Sequence, residues 1–257
     1  MSSTLVVIPT YNELRTLPSA IERTLQAVPT TRILVVDDNS PDGTGRLADE
    51  IAARDDRVSV MHRSEKNGLG AAYIAGFRWA EDHDVDFIIE MDADGSHQPE
   101  ELPLMITQLE RGADLSIGAR WIPGGKTRNW PLYRRLISRG GTLYARILLR
   151  SKLHDITSGF RGFRVATLRQ IDFDSVASQG YCFQIEMAWL IEKTGGDVRE
   201  FPITFVERVE GASKMSSAIV AEALLKVTSW GLADRFGSSR GAMEYSRRPG
   251  VGGISSK

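Results

Sequence analysis

The sequence predicts an α/β fold, an open sheet of mostly parallel strands with helices packed on its faces. Over residues 1–119, short runs of wholly apolar residues alternate with stretches whose apolar residues recur at helical spacing. The short runs are continuously apolar, as in strands buried on both faces. Three polar clusters follow three of these runs, at the carboxyl ends of strands where open α/β sheets hold their ligands.

In chain order, Leu5-Val6-Val7-Ile8 is the first strand, and Leu14, Leu17, Ile21, Leu25 and Val28 mark a helix. Ile33-Leu34-Val35-Val36 is the second strand, followed by a helix around Thr44 to Arg54, a strand from Val58 to Met61 and a helix from Leu69 to Asp82. A strand at Phe87-Ile88-Ile89, a helix around Glu100 to Arg111 and a strand from Leu115 to Ile117 complete the alternation. It breaks after Arg120. Residues 131–150 read as a helix with Leu132, Leu136, Ile137, Leu143 and Ile147 set against Arg134, Arg135, Arg139, Arg146 and Arg150, and Gly140-Gly141 is a place for a bend. Residues 198–206 alternate as one strand. Ser217 to Phe236 form a second amphipathic helix, with Val220, Ala223, Leu224, Val227 and Trp230 on one side. Residues 237–257, rich in Gly, Ser and Arg, read as a disordered tail.

A chain of 257 residues, 42% hydrophobic and 25% charged, can bury a full core as one large domain. The single cysteine, Cys182, excludes an intrachain disulfide and a cysteine-cluster metal site, and beside Phe183 it reads as a packed apolar residue. The N-terminus lacks a signal-peptide pattern and no long uncharged apolar run occurs, so a cytoplasmic protein without a transmembrane helix is expected. The net charge of −1 hides a segregation: 10 Lys/Arg against 21 Asp/Glu in residues 1–119, 11 against 1 in residues 120–164, and 11 against 11 beyond. Eleven cations repel each other unless a partner neutralises them, which makes the middle segment a candidate surface for phosphate, nucleic acid or anionic lipid.

Asp92-Ala93-Asp94 leaves the strand at Phe87, and residues i and i+2 of a strand point the same way. Two carboxylates so placed suit a hard divalent cation, Mg²⁺ or Mn²⁺, that keeps coordination places open for a diphosphate. Pro9-Thr10-Tyr11-Asn12-Glu13 ends the first strand, with Tyr11 suited to stacking on a base and Glu13 to bonding a sugar hydroxyl. Asp37-Asp38-Asn39-Ser40 ends the second; Asp42 suits a helix cap and Asp38 a base or ribose. Gly68-Leu69-Gly70 and Gly76 miss the dinucleotide-binding spacing, so these glycines either open a helix toward a ligand or permit tight packing. His154, Asp155 and Ser158 do not read as a hydrolytic triad, since the first two are neighbours and no nucleophile elbow surrounds the serine. His62, His83 and His97 lack metal-ligand spacing.

Together, Val7-Ile8-Pro9-Thr10-Tyr11-Asn12-Glu13, Val35-Val36-Asp37-Asp38-Asn39-Ser40-Pro41-Asp42-Gly43-Thr44 and Asp92-Ala93-Asp94 resemble family 2 glycosyltransferases of the GT-A fold. Asn67-Gly68-Leu69-Gly70, Gly118-Ala119-Arg120, Asn129-Trp130-Pro131-Leu132, Thr157-Ser158-Gly159-Phe160-Arg161, Arg208 and Gly211-Ala212-Ser213-Lys214-Met215 narrow it to the polyprenol-phosphate (dolichol-phosphate) mannosyltransferases, over about residues 4–236. The resemblance implies a mixed, mostly parallel GT-A sheet and one catalytic domain over residues 1–236. Residues 1–119 would bind the nucleotide sugar, 120–216 the acceptor, and 217–236 would form an interface helix.

It further implies that Pro9, Tyr11, Glu13, Val36 and Asp38 bind the guanosine of GDP-mannose, that Asp92, Ala93 and Asp94 hold the ribose-diphosphate and metal, and that Asp94 and Ser96 are the protein ligands of the ion. A Ser hydroxyl at the second ligand position is shorter and weaker than the Gln some relatives carry there. Arg120 and Arg134 would meet phosphate on the acceptor side, and Arg208 and Lys214 at the donor diphosphate. The implied reaction is transfer of mannose, with inversion, to a polyprenyl phosphate at the cytoplasmic face of a membrane, with a membrane-embedded partner subunit. Rival readings are a UDP-sugar transferase of the same fold, a nucleotide-sugar sensor without turnover, and an RNA-binding surface. The last is disfavoured because the basic segment lacks interleaved stacking aromatics in an RRM or OB pattern and the acidic strand-end clusters would go unexplained, so no nucleic acid is expected.

Overall fold

The computed structural model describes residues 2–176, 178, 180, 182–208 and 217–236. The expected strands and helices of the first half are present: β1 (Thr4–Thr10), α1 (Leu17–Ala27), β2 (Arg32–Asp37), α2 (Thr44–Ala52), β3 (Val58–His62), α3 (Leu69–Glu81), β4 (Phe87–Glu90), α4 (Leu102–Glu110) and β5 (Leu115–Ala119). The helix expected from Glu100 starts instead as a 3₁₀ turn, Pro99–Glu101, because prolines at 99 and 103 favour a first turn and cannot continue one. The second half adds β6 (Lys126–Arg128), α5 (Leu132–Leu149), β7 (Arg161–Arg164), α6 (Val165–Leu168), α7 (Cys182–Lys193), β8 (Val198–Pro202), β9 (Thr204–Val206) and α8 (Ser217–Phe236).

Seven strands make one sheet in the order β3-β2-β1-β4-β7-β5-β8, and only β7 runs antiparallel to its neighbours. Successive side chains of each strand feed opposite faces. Leu5, Val7, Leu34, Val36 and Ile88 pack with α3 and α7 in one core. Val6, Ile8, Ile33, Val35 and Ile89 pack with α1 and α4 in the other. The chain leaves β1 toward β2 on one side and pairs it with β4 on the other, which opens a crevice above their carboxyl ends.

One expectation is corrected. The strand expected over residues 198–206 is two strands: Val198–Pro202 pairs with β5, and Thr204–Val206 turns away to pair with β6, the short strand Lys126-Thr127-Arg128. The helix α5 is continuous through Gly140-Gly141. Strand β7 had no apolar signature, because its first residue is a wholly buried arginine: Arg161 donates to the carbonyls of Ser158, Ile156 and Gln184.

Among the described residues no helix is long and apolar enough to cross a membrane. Two carry exposed apolar side chains all the same. On α5, Leu132 is 72% exposed and Leu136 70%, with Leu143 and Ile147 further along; on α8, Leu225 and Phe236 are exposed at 72% and 83%. The helices pack on each other, with the Tyr144 hydroxyl 2.6 Å from Thr228 Oγ1. Helix α8 also docks on the domain, since Val227 is buried and Trp230 stacks on Trp189 at 6.0 Å.

Candidate functional site

Two cavities meet above the carboxyl ends of β1 and β4. The first, about 330 Å³, is lined by Pro9 near the end of β1, Tyr11 and Glu13 after it, Asp38 after β2, Asp92, Ala93 and Asp94 after β4, Gly68 and Leu69 at the start of α3, and Arg208. The second, about 350 Å³, shares Leu69, Asp92 and Arg208 with it and adds His97, Arg120, Trp130 and Arg134. It continues between the helices along Ile137 and Tyr144 of α5 and Val220, Ala223, Leu224 and Val227 of α8. The Val36 side chain is wholly buried in the core and is not on the wall of either cavity. Lys214 and its motif lie outside the described residues.

The glycine alternatives both hold, at different residues. Gly68 caps α3 with φ of 89°, a backbone that glycine adopts without strain, and places the helix N-terminus on the first cavity. Gly70 and Gly76 serve packing: a Cβ would lie 2.9 Å from the Phe183 ring at Gly70 and 2.8 Å from Val7 at Gly76. The N-cap of α2 is Gly43 and not Asp42 as expected; Asp42, one residue further out, accepts from the backbone N–H and hydroxyl of Thr44, while Asp38 accepts from Arg63 Nη1 at 2.7 Å. Burial, the larger effect, raises the Asp38 pKa above its usual value, and the neighbouring Arg63 guanidinium opposes the rise. Lys66 lies 3.8 Å over the Tyr11 ring.

Strand β4 stops at Glu90, and the Asp92–Asp94 segment is a turn above it. Asp94 Oδ1 accepts from the Ser96 N–H at 3.0 Å, and Arg208 Nε is 3.6 Å from its other oxygen. The Ser96 hydroxyl is buried and has no hydrogen-bond partner among the described residues. An orphaned hydroxyl beside a carboxylate fits a metal-ligand pair. Among the described residues no group of three His, Cys, Asp or Glu could hold a cation, so such an ion needs ligand oxygens from a substrate.

His97 gave no sequence signal as a ligand, yet it is 2% exposed and lines the second cavity. The Asp92 N–H donates to His97 Nδ1 at 3.0 Å, which puts the proton of the neutral ring on Nε2. Burial lowers the His97 pKa and so favours this neutral form. Burial raises the pKa of Asp92, whose Oδ1 accepts from Tyr73 at 3.3 Å.

Glu90, wholly buried beneath this turn, accepts from Gln184 Nε2 at 2.7 Å and has its pKa pushed up to about 8 by burial. Its folded value lies above the unfolded one, so its contribution to stability is complete below about pH 4.3 and fades as pH rises toward 8, by at most ~1.4 kcal/mol per pH unit. Glu90→Gln copies the protonated form. Urea unfolding of the variant is expected to lose the wild type's decline between pH 6 and 8, and an unchanged decline would assign that slope to other groups.

The basic middle segment is partly neutralised from within, which the charge count did not anticipate. Arg120, 6% exposed, pairs through Nε and Nη2 with both oxygens of Asp155 at 2.7 Å and reaches Thr157. Arg134 pairs with Glu207, Arg164 lies 4.0 Å from Asp114, and Arg139 sits over Trp121. His154 bonds Glu200 and Ser158 donates to the Gly118 carbonyl, so no triad forms. Cys182 is buried and its thiol is pushed up to about 11.

A polyprenol monophosphomannose synthase of Mycolicibacterium smegmatis is 52% identical over 241 residues, covering 93% of this chain and 91% of that protein. An undecaprenyl-phosphate mannosyltransferase of Micrococcus luteus is 54% identical over 232 residues, covering 90% of this chain and 95% of that protein. In fold, the chain is similar to glucosyl-3-phosphoglycerate synthase of Mycobacterium tuberculosis, crystallised with Mn²⁺, UDP and phosphoglyceric acid. The TM-score is 0.61 at 20% identity, over 92% of this chain and 79% of that one. The family profile described as glycosyl transferase family 2 matches residues 5–172, and with relatives more than half identical along nearly the whole chain, this protein belongs to glycosyl transferase family 2.

Proposed function

We propose that the protein transfers mannose from GDP-mannose to a polyprenyl phosphate with inversion, releasing GDP. The observation that carries this reading is the meeting of two cavities at Asp92 and Arg208, one walled by the strand-end carboxylates and the other running between two apolar helices. The names of the two bacterial relatives supply the sugar and the lipid class.

A phosphate monoester has a second pKa near 6, so at neutral pH the acceptor oxygen is already largely anionic and needs no general base. That oxygen attacks the anomeric carbon of the mannose, and the bond from this carbon to the β-phosphate oxygen breaks, leaving GDP. The protein aligns two anions and offsets their charge. Arg120 and Arg134 orient the acceptor phosphate, Arg208 and Lys214 meet the donor diphosphate, and Tyr11, Glu13 and Asp38 hold the nucleoside. A divalent cation held by Asp94 and Ser96, Mg²⁺ or Mn²⁺, supplies positive charge to the diphosphate when bound.

The exposed leucines of α5, interleaved with arginines, and those of α8 beside Lys226 and Arg235 rest on the cytoplasmic face of a membrane, apolar side chains in lipid and cations among the head groups. A membrane-embedded partner subunit completes the attachment, since binding through such faces is reversible.

The test is transfer of radiolabelled mannose from GDP-mannose to a short polyprenyl phosphate, with Mg²⁺, Mn²⁺ or EDTA, and with UDP-glucose as competing donor. An acid-labile, lipid-linked mannose that requires the cation is expected. Transfer from UDP-glucose alone would overturn the choice of donor, and nucleotide-sugar binding without any lipid product would favour a sensor.

A further inference from the structure

The ring of Trp130 has two guanidinium groups of the second cavity near its centre, that of Arg134 at 4.3 Å and that of Arg120 at 5.3 Å, and Arg120 is also 5.4 Å from the Phe205 ring and 5.5 Å from Trp121. The Trp130 ring is itself held edge-on by Phe205 at 5.1 Å and by Trp121 at 6.3 Å. Two cations side by side in a water-poor cavity repel, and an aromatic ring near both attracts both and sets their planes.

The arginines are incompletely satisfied. Arg134 Nε is buried with no acceptor among the described residues, although its Nη1 is taken by Glu207. Arg120 spends Nε and Nη2 on Asp155 and Thr157, and its Nη1 has no partner among the described residues. The neighbouring carboxylates are thus already engaged by these arginines. A phosphate brings only acceptors and so suits these unspent guanidinium donors.

We infer that Trp130 is a positioning residue for the acceptor: its ring fixes the spacing and orientation of Arg120 and Arg134 so that both reach one phosphate monoester. This rests on the reading that a lipid phosphate enters the second cavity. The Trp130 indole Nε1–H is itself buried with no partner among the described residues, so the test must separate the ring face from this donor.

Steady-state kinetics with GDP-mannose and a short prenyl phosphate test it in wild type, Trp130→Phe and Trp130→Leu. Trp130→Leu is expected to raise KM for the prenyl phosphate about tenfold, the effect of losing one desolvated cation–π contact, with KM for GDP-mannose unchanged. Trp130→Phe, which keeps a π face, is expected to stay within about threefold of wild type. If Trp130→Leu does not fold, Trp130→Met takes its place, since its flexible thioether fills an irregular gap better and also lacks the face.

An unchanged lipid KM in the variant without a ring overturns the inference while leaving the mannosyl transfer intact. A Trp130→Phe enzyme as impaired as Trp130→Leu overturns it in favour of the indole N–H, and equal rises in both KM values overturn it in favour of a general structural role. If wild-type protein transfers no mannose and binds no prenyl phosphate, the proposed function fails and this inference with it.

Discussion

Asp94→Ala is expected to lower mannose transfer at least about 100-fold, the loss that follows removal of one group facing developing charge in a preorganised site. The fold should survive, because among the described residues this side chain accepts one backbone bond, from Ser96, and stands 3.6 Å from Arg208. Activity should no longer rise with Mg²⁺ or Mn²⁺, whereas Asp38→Ala should weaken nucleotide binding and keep the cation dependence. Measured transfer over a cation titration decides between them. A variant within threefold of wild type, with an unshifted titration, would mean that the ion is held elsewhere.

The largest effect on stability is expected from Asp155→Ala. Asp155 is wholly buried and accepts from the Arg120 backbone N–H at 2.8 Å, from its Nε and Nη2 at 2.7 Å and from Thr157. Removing it leaves a buried guanidinium without its counter-charge, which costs about 3–5 kcal/mol. At 2–4 °C per kcal/mol for a domain of this size, the melting temperature should fall by roughly 6–20 °C. The double variant Asp155→Ala, Arg120→Met should recover part of the loss, since no buried charge then remains. Calorimetry on the three proteins measures both terms, and a fall under about 3 °C in the single variant would mean that water compensates Arg120.

This ion pair also marks where reading the sequence stopped. The middle segment holds 11 cations and one anion, and counting them suggests an unneutralised surface. The one anion is Asp155, buried against Arg120, and Glu207 and Asp114 from other segments engage Arg134 and Arg164. Charge counts carry no pairing, and pairing decides how much of that charge a ligand meets. His97 has no motif of its own, and Trp130 stands in Asn129-Trp130-Pro131-Leu132 without an assigned role; each gains its place in the cavity from Phe160, Phe205 or Trp121, which are distant in the chain or on another element.

The sequence alone determined the α/β alternation and the residues at the carboxyl ends of β1, β2 and β4, because a strand buried on both faces writes an uninterrupted apolar run and its polar exit marks the ligand edge. It also determined the long apolar-and-arginine helix α5. Tertiary structure alone decided the antiparallel insertion of β7, whose buried Arg161 reads as polar until three backbone carbonyls surround it. It likewise decided the division of residues 198–206 between two sheets and the meeting of the two cavities at Asp92 and Arg208. Periodicity reports how a segment is buried; which distant segment buries it depends on contacts that no local pattern encodes.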